Sequence, residues 1–203
     1  MQGTASLSRK LIRTGAALLV IGLASISLTL WVTWQLEGGA AAVNEAGRMR
    51  MQTWRLSSSV QAGVSQQTVK ELVENFDESL SLLREGDPSR PLFVPWDEHT
   101  TEGFSTVAGL WSVQRGQWLQ SEQISSEDSL RSADTFAGAI DRFVSSIEQQ
   151  LARYTAVLNL FQFVMMALAI GSAVVMLYTG YLYVINPLSN LRHGLRRIEA
   201  GDF

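Results

Sequence analysis

Arg50 is the residue in this sequence best placed to bind something, because of its neighbours. On a helix turning about 100° per residue, Val43, Gly47, Arg50, Trp54 and Ser57 share one stripe, while Arg48, Gln52 and Arg55 fall opposite. That stripe reads as a packing face with a cation in it. A guanidinium withdrawn from water without a partner is costly, and the positions three and four away (Ala46, Gly47, Thr53, Trp54) hold no acid. Gly47 gives up about 1 kcal/mol of helix propensity relative to alanine and opens room for a small guest. If two chains pack in parallel about a two-fold axis, their Arg50 side chains repel unless an anion sits between the two planar, bidentate donors. Two plainer readings stand beside this one. Arg50 reaches solvent along its aliphatic stem, or it pairs with a carboxylate on another helix, such as Asp134 or Asp141. Arg48 and Arg55 read as solvated or paired with surface acids.

Other chemistry is hard to find. There is no glycine-rich phosphate loop and no nucleophile beside a base. With two histidines and no cysteine, neither a zinc site nor a disulfide framework is expected, and no cofactor or metal is implied. His99 and His193 read as surface or interfacial residues, and Glu74, Asp77 and Glu78 as a solvated helix face. No catalytic residue is expected in these 203 residues, so the chain is not expected to be an enzyme.

The elements that must position Arg50 follow from where charge is absent. Charged residues make up 17% of the chain, against about 25% in ordinary soluble domains, and they vanish from Thr14–Leu36 and from Tyr154–Leu191. A hydrocarbon core of about 30 Å takes about 20 apolar helical residues, so each stretch is long enough to cross. The first is read as an uncleaved anchor rather than a signal peptide, whose apolar region is usually about 7–15 residues. Arg9, Lys10 and Arg13 before the first span, and Arg192, Arg196 and Arg197 after the second, put both ends in the cytoplasm. Trp31, Trp34, Tyr178, Tyr181 and Tyr183 sit where rings favour the membrane interface. The expected organisation is a cytoplasmic N-terminus (1–13), a first transmembrane helix (14–36), an external sensor segment (37–153), a second transmembrane helix (154–185) and a terminal relay segment (186–203). The external segment carries 17 acids and 10 bases, a net charge of −7. That argues against a nucleic-acid partner.

Within the external segment, periodicity predicts four helices. They run from about Ala41 to Gln61, from Thr68 to Arg84 with Val69, Leu72, Val73, Phe76, Leu80 and Leu83 inward, from Glu102 to Leu119 with Phe104, Val107, Trp111 and Trp118 inward, and along a fourth seam. Gly86, Pro88, Pro91 and Pro95 make the connection between the second and third. The fourth seam, Leu130, Ala133, Ala137, Ile140, Val144, Ile147 and Leu151, alternates spacings of three and four, behind a capping box at Ser125 and Asp128. No proline interrupts the chain from there to Pro187, so this helix is expected to run on into the second span. The fold class is all-α: an antiparallel four-helix bundle whose first and last helices extend into the membrane as the two flanking transmembrane helices, in a parallel homodimer.

The stretch Val43-Asn44-Glu45-Ala46-Gly47-Arg48-Met49-Arg50-Met51-Gln52-Thr53-Trp54-Arg55-Leu56 resembles the signature of nitrate and nitrite sensor kinases of the NarX/NarQ type, shared with the N-terminal domain of pilus-chemotaxis transducers. Ile140-Asp141-Arg142-Phe143-Val144 resembles a weaker motif on the last external helix of those sensors. The resemblance implies that Arg50 and Gly47 hold nitrate or nitrite at the dimer seam, supported by Val43, Met51 and Trp54. Trp54 stands where that motif more usually has tyrosine, and Arg48 where it has a small or apolar residue. After the second span, Pro187-Leu188, Leu191, Leu195 and Ile198 followed by Glu199-Ala200-Gly201-Asp202 resemble the first helix of a HAMP relay, with Pro187 and Glu199 as relay residues. The resemblance implies a receptor in the bacterial inner membrane, its sensor in the periplasm, which signals to a histidine kinase output and its response regulator beyond these residues. The alternative is a chemoreceptor or pilus-linked transducer whose input is a protein, peptide or other ligand. A third reading is a passive membrane anchor.

Overall fold

The computed structural model describes residues 3–120 and 126–181. Four helices make up the described chain: α1 (Gly3–Gln61), α2 (Gln66–Glu85), α3 (Glu98–Leu119) and α4 (Ser126–Gly180). Among the described residues there is no β-strand, only an isolated bridge between Asp87 and Leu92. The all-helical class therefore stands. Two helices are long and apolar enough to cross a membrane: α1 from Gly15 and α4 as far as Thr179. Many large apolar side chains of these stretches are exposed, among them Leu18, Leu23, Ile26 and Leu30 in α1 and Leu160, Phe163, Val174 and Leu177 in α4.

Residues up to Val157 form one unit and those from Leu158 another. The first has a single core fed by every helix. Phe76 of α2 stacks on Trp111 of α3 with centroids 3.9 Å apart, and both pack against Phe136 of α4. Phe104 of α3 meets Phe143 of α4 edge-on. The predicted inward positions of α2 and α3 are buried, apart from Leu80, which is partly so. On α4 the buried set is wider than the expected seam and includes Phe136, Ala139 and Phe143, whereas Leu130 at its start is exposed.

The first bundle helix runs on without a break from its apolar stretch, as expected, because the Gly38-Gly39 pair is held from both sides. A Cβ on Gly38 would overlap the Phe93 ring, and one on Gly39 would overlap Leu151 of α4. Both bare faces are thus used for close approach, which offsets the glycines' weak helix propensity. α3 begins at Glu98 rather than Glu102, because Asp97 forms a capping box with Thr100: the Thr100 N–H donates to Asp97 Oδ1 at 2.8 Å and the Asp97 N–H to Thr100 Oγ1 at 2.7 Å. The Thr100 N–H, with the Thr100 hydroxyl 3.0 Å from the same oxygen, stabilises the Asp97 carboxylate and lowers its pKa. α2 starts behind Ser65, whose side chain accepts from the Thr68 N–H. The expected box at Ser125 lies outside the described residues.

Between α2 and α3, residues 86–97 return along α1 rather than looping into solvent. Gly86 turns the chain at φ 80°, a left-handed value that favours glycine. Asp87 then organises the turn, accepting from the Ser89 N–H at 2.9 Å, Ser89 Oγ at 2.6 Å and Arg90 Nε at 2.8 Å. Those donors pull the Asp87 pKa from 3.8 down to about 2.

Candidate functional site

The residues expected to form the anion site share one surface of α1, but it is not the face turned toward the core. The buried ladder of α1 is Ala42, Glu45, Ala46, Met49, Gln52, Thr53, Leu56 and Ser57. Gly47, Arg50, Met51 and Trp54 lie beside it, with Arg50, Met51 and Trp54 exposed, while Val43 is partly buried against the edge of the core. With Asn44 and Arg48 they line an open concave surface. Met51 and Trp54 are exposed apolar residues. The expected stripe is therefore displaced by one residue, about 100° of helix rotation, from the stripe that packs.

The reason is that both stripes carry the same spacing of three and four, and the packing one is unusually polar. Its polar members find partners on other helices or on the preceding turn. Gln52 Nε2 donates to Asn75 O at 3.4 Å, Thr53 Oγ1 donates to Met49 O at 3.0 Å, and Ser57 Oγ lies 3.2 Å from Ser129 Oγ. Gln52, expected on the solvent side, is buried against α2.

Arg50 is neither on the packing face nor unpaired within its own chain. Its Nη1 lies 2.8 Å from Asp141 Oδ1 on α4, with the two side chains 53% and 52% exposed. Of the readings left open by the sequence, the structure has the interhelical carboxylate pair. No acid sits three or four positions from Arg50, as read. The neutraliser comes from 91 residues further along the chain, within the second motif. At this exposure the pair contributes on the order of 0–1 kcal/mol.

The buried charge on this helix is Glu45, which the sequence reading missed. Its side chain is only 4% exposed, with Arg48 Nη2 at 2.7 Å from Oε1 and Arg90 Nη2 at 3.6 Å from Oε2. The contact to Arg48 is ionic rather than an aligned hydrogen bond. Arg48 also donates to Ser79 Oγ of α2 at 3.0 Å. The acid that holds Arg48 is therefore buried rather than at the surface, and it ties α1 to both α2 and the turn at Arg90. Its sequence signal is the spacing of three between Glu45 and Arg48; the third partner, Arg90, is too distant in sequence to be inferred.

Asp77 was expected in a solvated face. Instead it accepts from Trp111 Nε1 at 2.7 Å and pairs with Arg115 Nε at 3.0 Å, linking α2 to α3. Glu74 pairs with Lys70 on its own helix at 3.8 Å. Among the described residues no group of three or more metal-binding side chains occurs. The relay residues Pro187 and Glu199, the HAMP-like segment and His193 lie outside the described residues.

Described residues that are all helical, with two helices long and apolar enough to cross a bilayer, have the build of a membrane-associated module. Comparison with family models identifies which kind: residues 31–137 match the N-terminal domain of type IV pili methyl-accepting chemotaxis transducers. The match spans more than half of the chain, and the chain belongs to that family of transducer sensor domains. It covers α1 from Trp31, all of α2 and α3, and the start of α4. A comparison with curated proteins found no match.

Proposed function

We propose that these residues are the input portion of a chemotaxis or pilus-linked transducer in the bacterial inner membrane. In this reading residues 14–36 and 154–185 cross the bilayer, 1–13 and 186–203 are cytoplasmic, and 37–153 form a periplasmic antiparallel four-helix bundle. Two chains associate in parallel through the outward face of α1, where Gly47, Met51 and Trp54 offer apolar contact. Input biases one of two packings of α1 against α4, and α4 carries the displacement to the HAMP-like segment and an output domain.

The observation that carries this reading is the match to chemotaxis transducers over residues 31–137. The unbroken α4, whose first part is packed in the core and whose later part is apolar, supports the route. Nitrate or nitrite sensing linked to a histidine kinase and response regulator is the less supported version. The family match is to transducers, and Arg50 already has a carboxylate beside it.

The test is a fusion of residues 1–203 to the methyl-accepting cytoplasmic half of a chemoreceptor. An alanine inserted between Ala152 and Arg153 turns everything beyond it by about 100°. The fusion is expected to support receptor methylation, and the insertion to shift its level. Methylation that is unchanged by the insertion makes the chain a passive anchor and overturns the proposal.

A further inference from the structure

The outward apolar run of α1 ends at Trp31 and Trp34, and there the connection between α2 and α3 comes down onto the helix. The Phe93 ring lies 4.2 Å from that of Trp34, and the Phe93 N–H donates to Gly38 O at 3.4 Å. Tyr154 of α4 meets Trp31 edge-on at 5.4 Å. Four aromatic rings from three segments thus gather where the apolar stretch stops. Trp31 and Trp34 remain 46% and 51% exposed. Rings of this kind favour the zone between hydrocarbon and water.

The turn itself keeps most of its backbone donors paired, as suits a loop lying against the membrane interface. Pro88 and Pro91 carry no N–H. The N–H groups of Asp87, Ser89, Leu92 and Phe93 all donate within the unit, to Leu92 O, Asp87 Oδ1, Arg90 O and Gly38 O. Asp87 and Arg90 neutralise each other at 2.8 Å, and the exposed rim is formed by Pro88, Ser89, Arg90 and Pro91.

We propose that the Pro88–Phe93 turn, together with Trp34, is seated in the headgroup layer of the bilayer leaflet that α1 enters. The proposal rests on the membrane-spanning reading of α1 and α4. The bilayer is favoured over a protein partner because the patch continues directly into the apolar surface of α1. Seated there, the turn links the α2–α3 connection to the membrane, while the Arg90–Glu45 contact links it to α1.

The chain has no cysteine, so single-cysteine variants of the full chain take a spin label cleanly. Ser89→Cys and Pro91→Cys report the turn, Thr106→Cys on α3 reports water and Val174→Cys on α4 reports lipid. The labelled proteins are reconstituted in phosphatidylcholine vesicles with and without a nickel-chelating headgroup lipid. Labels at 89 and 91 are expected to show several-fold lower collision with a soluble nickel chelate than the label at 106. They are also expected to be relaxed more strongly by the nickel lipid than labels at either 106 or 174. If 89 and 91 match 106 while 174 reads as lipid, the seat is wrong and the span reading stands. If they are shielded from the chelate but not relaxed by the nickel lipid, a second copy or another protein segment covers the turn, and the seat is again wrong. If 174 itself reads as water, the membrane reading fails and takes the seat with it.

Discussion

Replacing Glu45 with alanine separates two views of a buried carboxylate. Breaking a fully buried ion pair costs about 3–5 kcal/mol, because the surviving charge is left without water or partner. Glu45 itself is 4% exposed, but Arg48 and Arg90 are 45% and 46% exposed. Each keeps another partner: Arg48 has Ser79 at 3.0 Å and Arg90 has Asp87 at 2.8 Å. Neither guanidinium becomes a buried orphan when Glu45 is removed. The expected cost of Glu45→Ala is therefore about 1–2 kcal/mol, made of lost ionic contact and a small cavity, less the recovered desolvation of the carboxylate. Glu45→Met, which fills the space without charge, is expected within about 1 kcal/mol of wild type. The assay is thermal unfolding of the full chain in micelles by circular dichroism, where 1 kcal/mol moves the midpoint by a few degrees. A loss of 4 kcal/mol or more for Glu45→Ala, with no recovery in Glu45→Met, would refute the argument, since it requires arginines that are desolvated.

Three further outcomes are expected. In a double-mutant cycle of Arg50→Ala and Asp141→Ala, with the full chain diluted in micelles until it is monomeric, the coupling should stay below about 1 kcal/mol and shrink in salt, as for exposed pairs; a coupling of 2 kcal/mol or more under those conditions means that the pair is covered within its own chain. Gly38→Val should destabilise by about 1–3 kcal/mol through overlap with the Phe93 ring, and Phe93→Ala should relieve most of that loss in the double variant, measured by the same melts. Because the folded-state pKa of Asp87 lies at about 2, below its ordinary 3.8, its contribution is fully present above pH 4 and is lost as pH falls from about 4 to 2. Asp87→Asn should flatten that acid limb of the melting curve, and an unchanged limb counts against the hydrogen-bonded turn.

The helices were legible where one face is apolar and the other is not. Val69, Leu72, Val73, Phe76 and Leu83 announce α2, and Phe104, Val107, Trp111 and Trp118 announce α3, because large apolar residues at helical spacing admit one burial face. On α1 the same logic misses by one residue. Its core face holds Glu45, Gln52, Thr53 and Ser57, whose suitability depends on partners from other helices or the preceding turn. The neighbouring stripe, with Val43 and Trp54, looks more like a core. Arg50 was singled out correctly as lacking a local acid, and Asp141 was named among its alternatives, but choosing between a guest anion and a carboxylate 91 positions away needs the helix packing. The turn around Asp87 was visible as a proline-rich break. Its return onto Gly38 was not, because that contact is set by the bare face of a glycine rather than by any side-chain pattern.

The adjacent glycines of α1 have a mechanical consequence. Phe93 occupies the bare side at Gly38, while Leu151 occupies the next one at Gly39, so two independent pieces of the molecule close on the helix at one height. Turning α1 by a single residue would present the methyl group of Ala40 to one of them. The helix is therefore indexed like a keyed shaft in its collar: an azimuthal change must first lift a jaw.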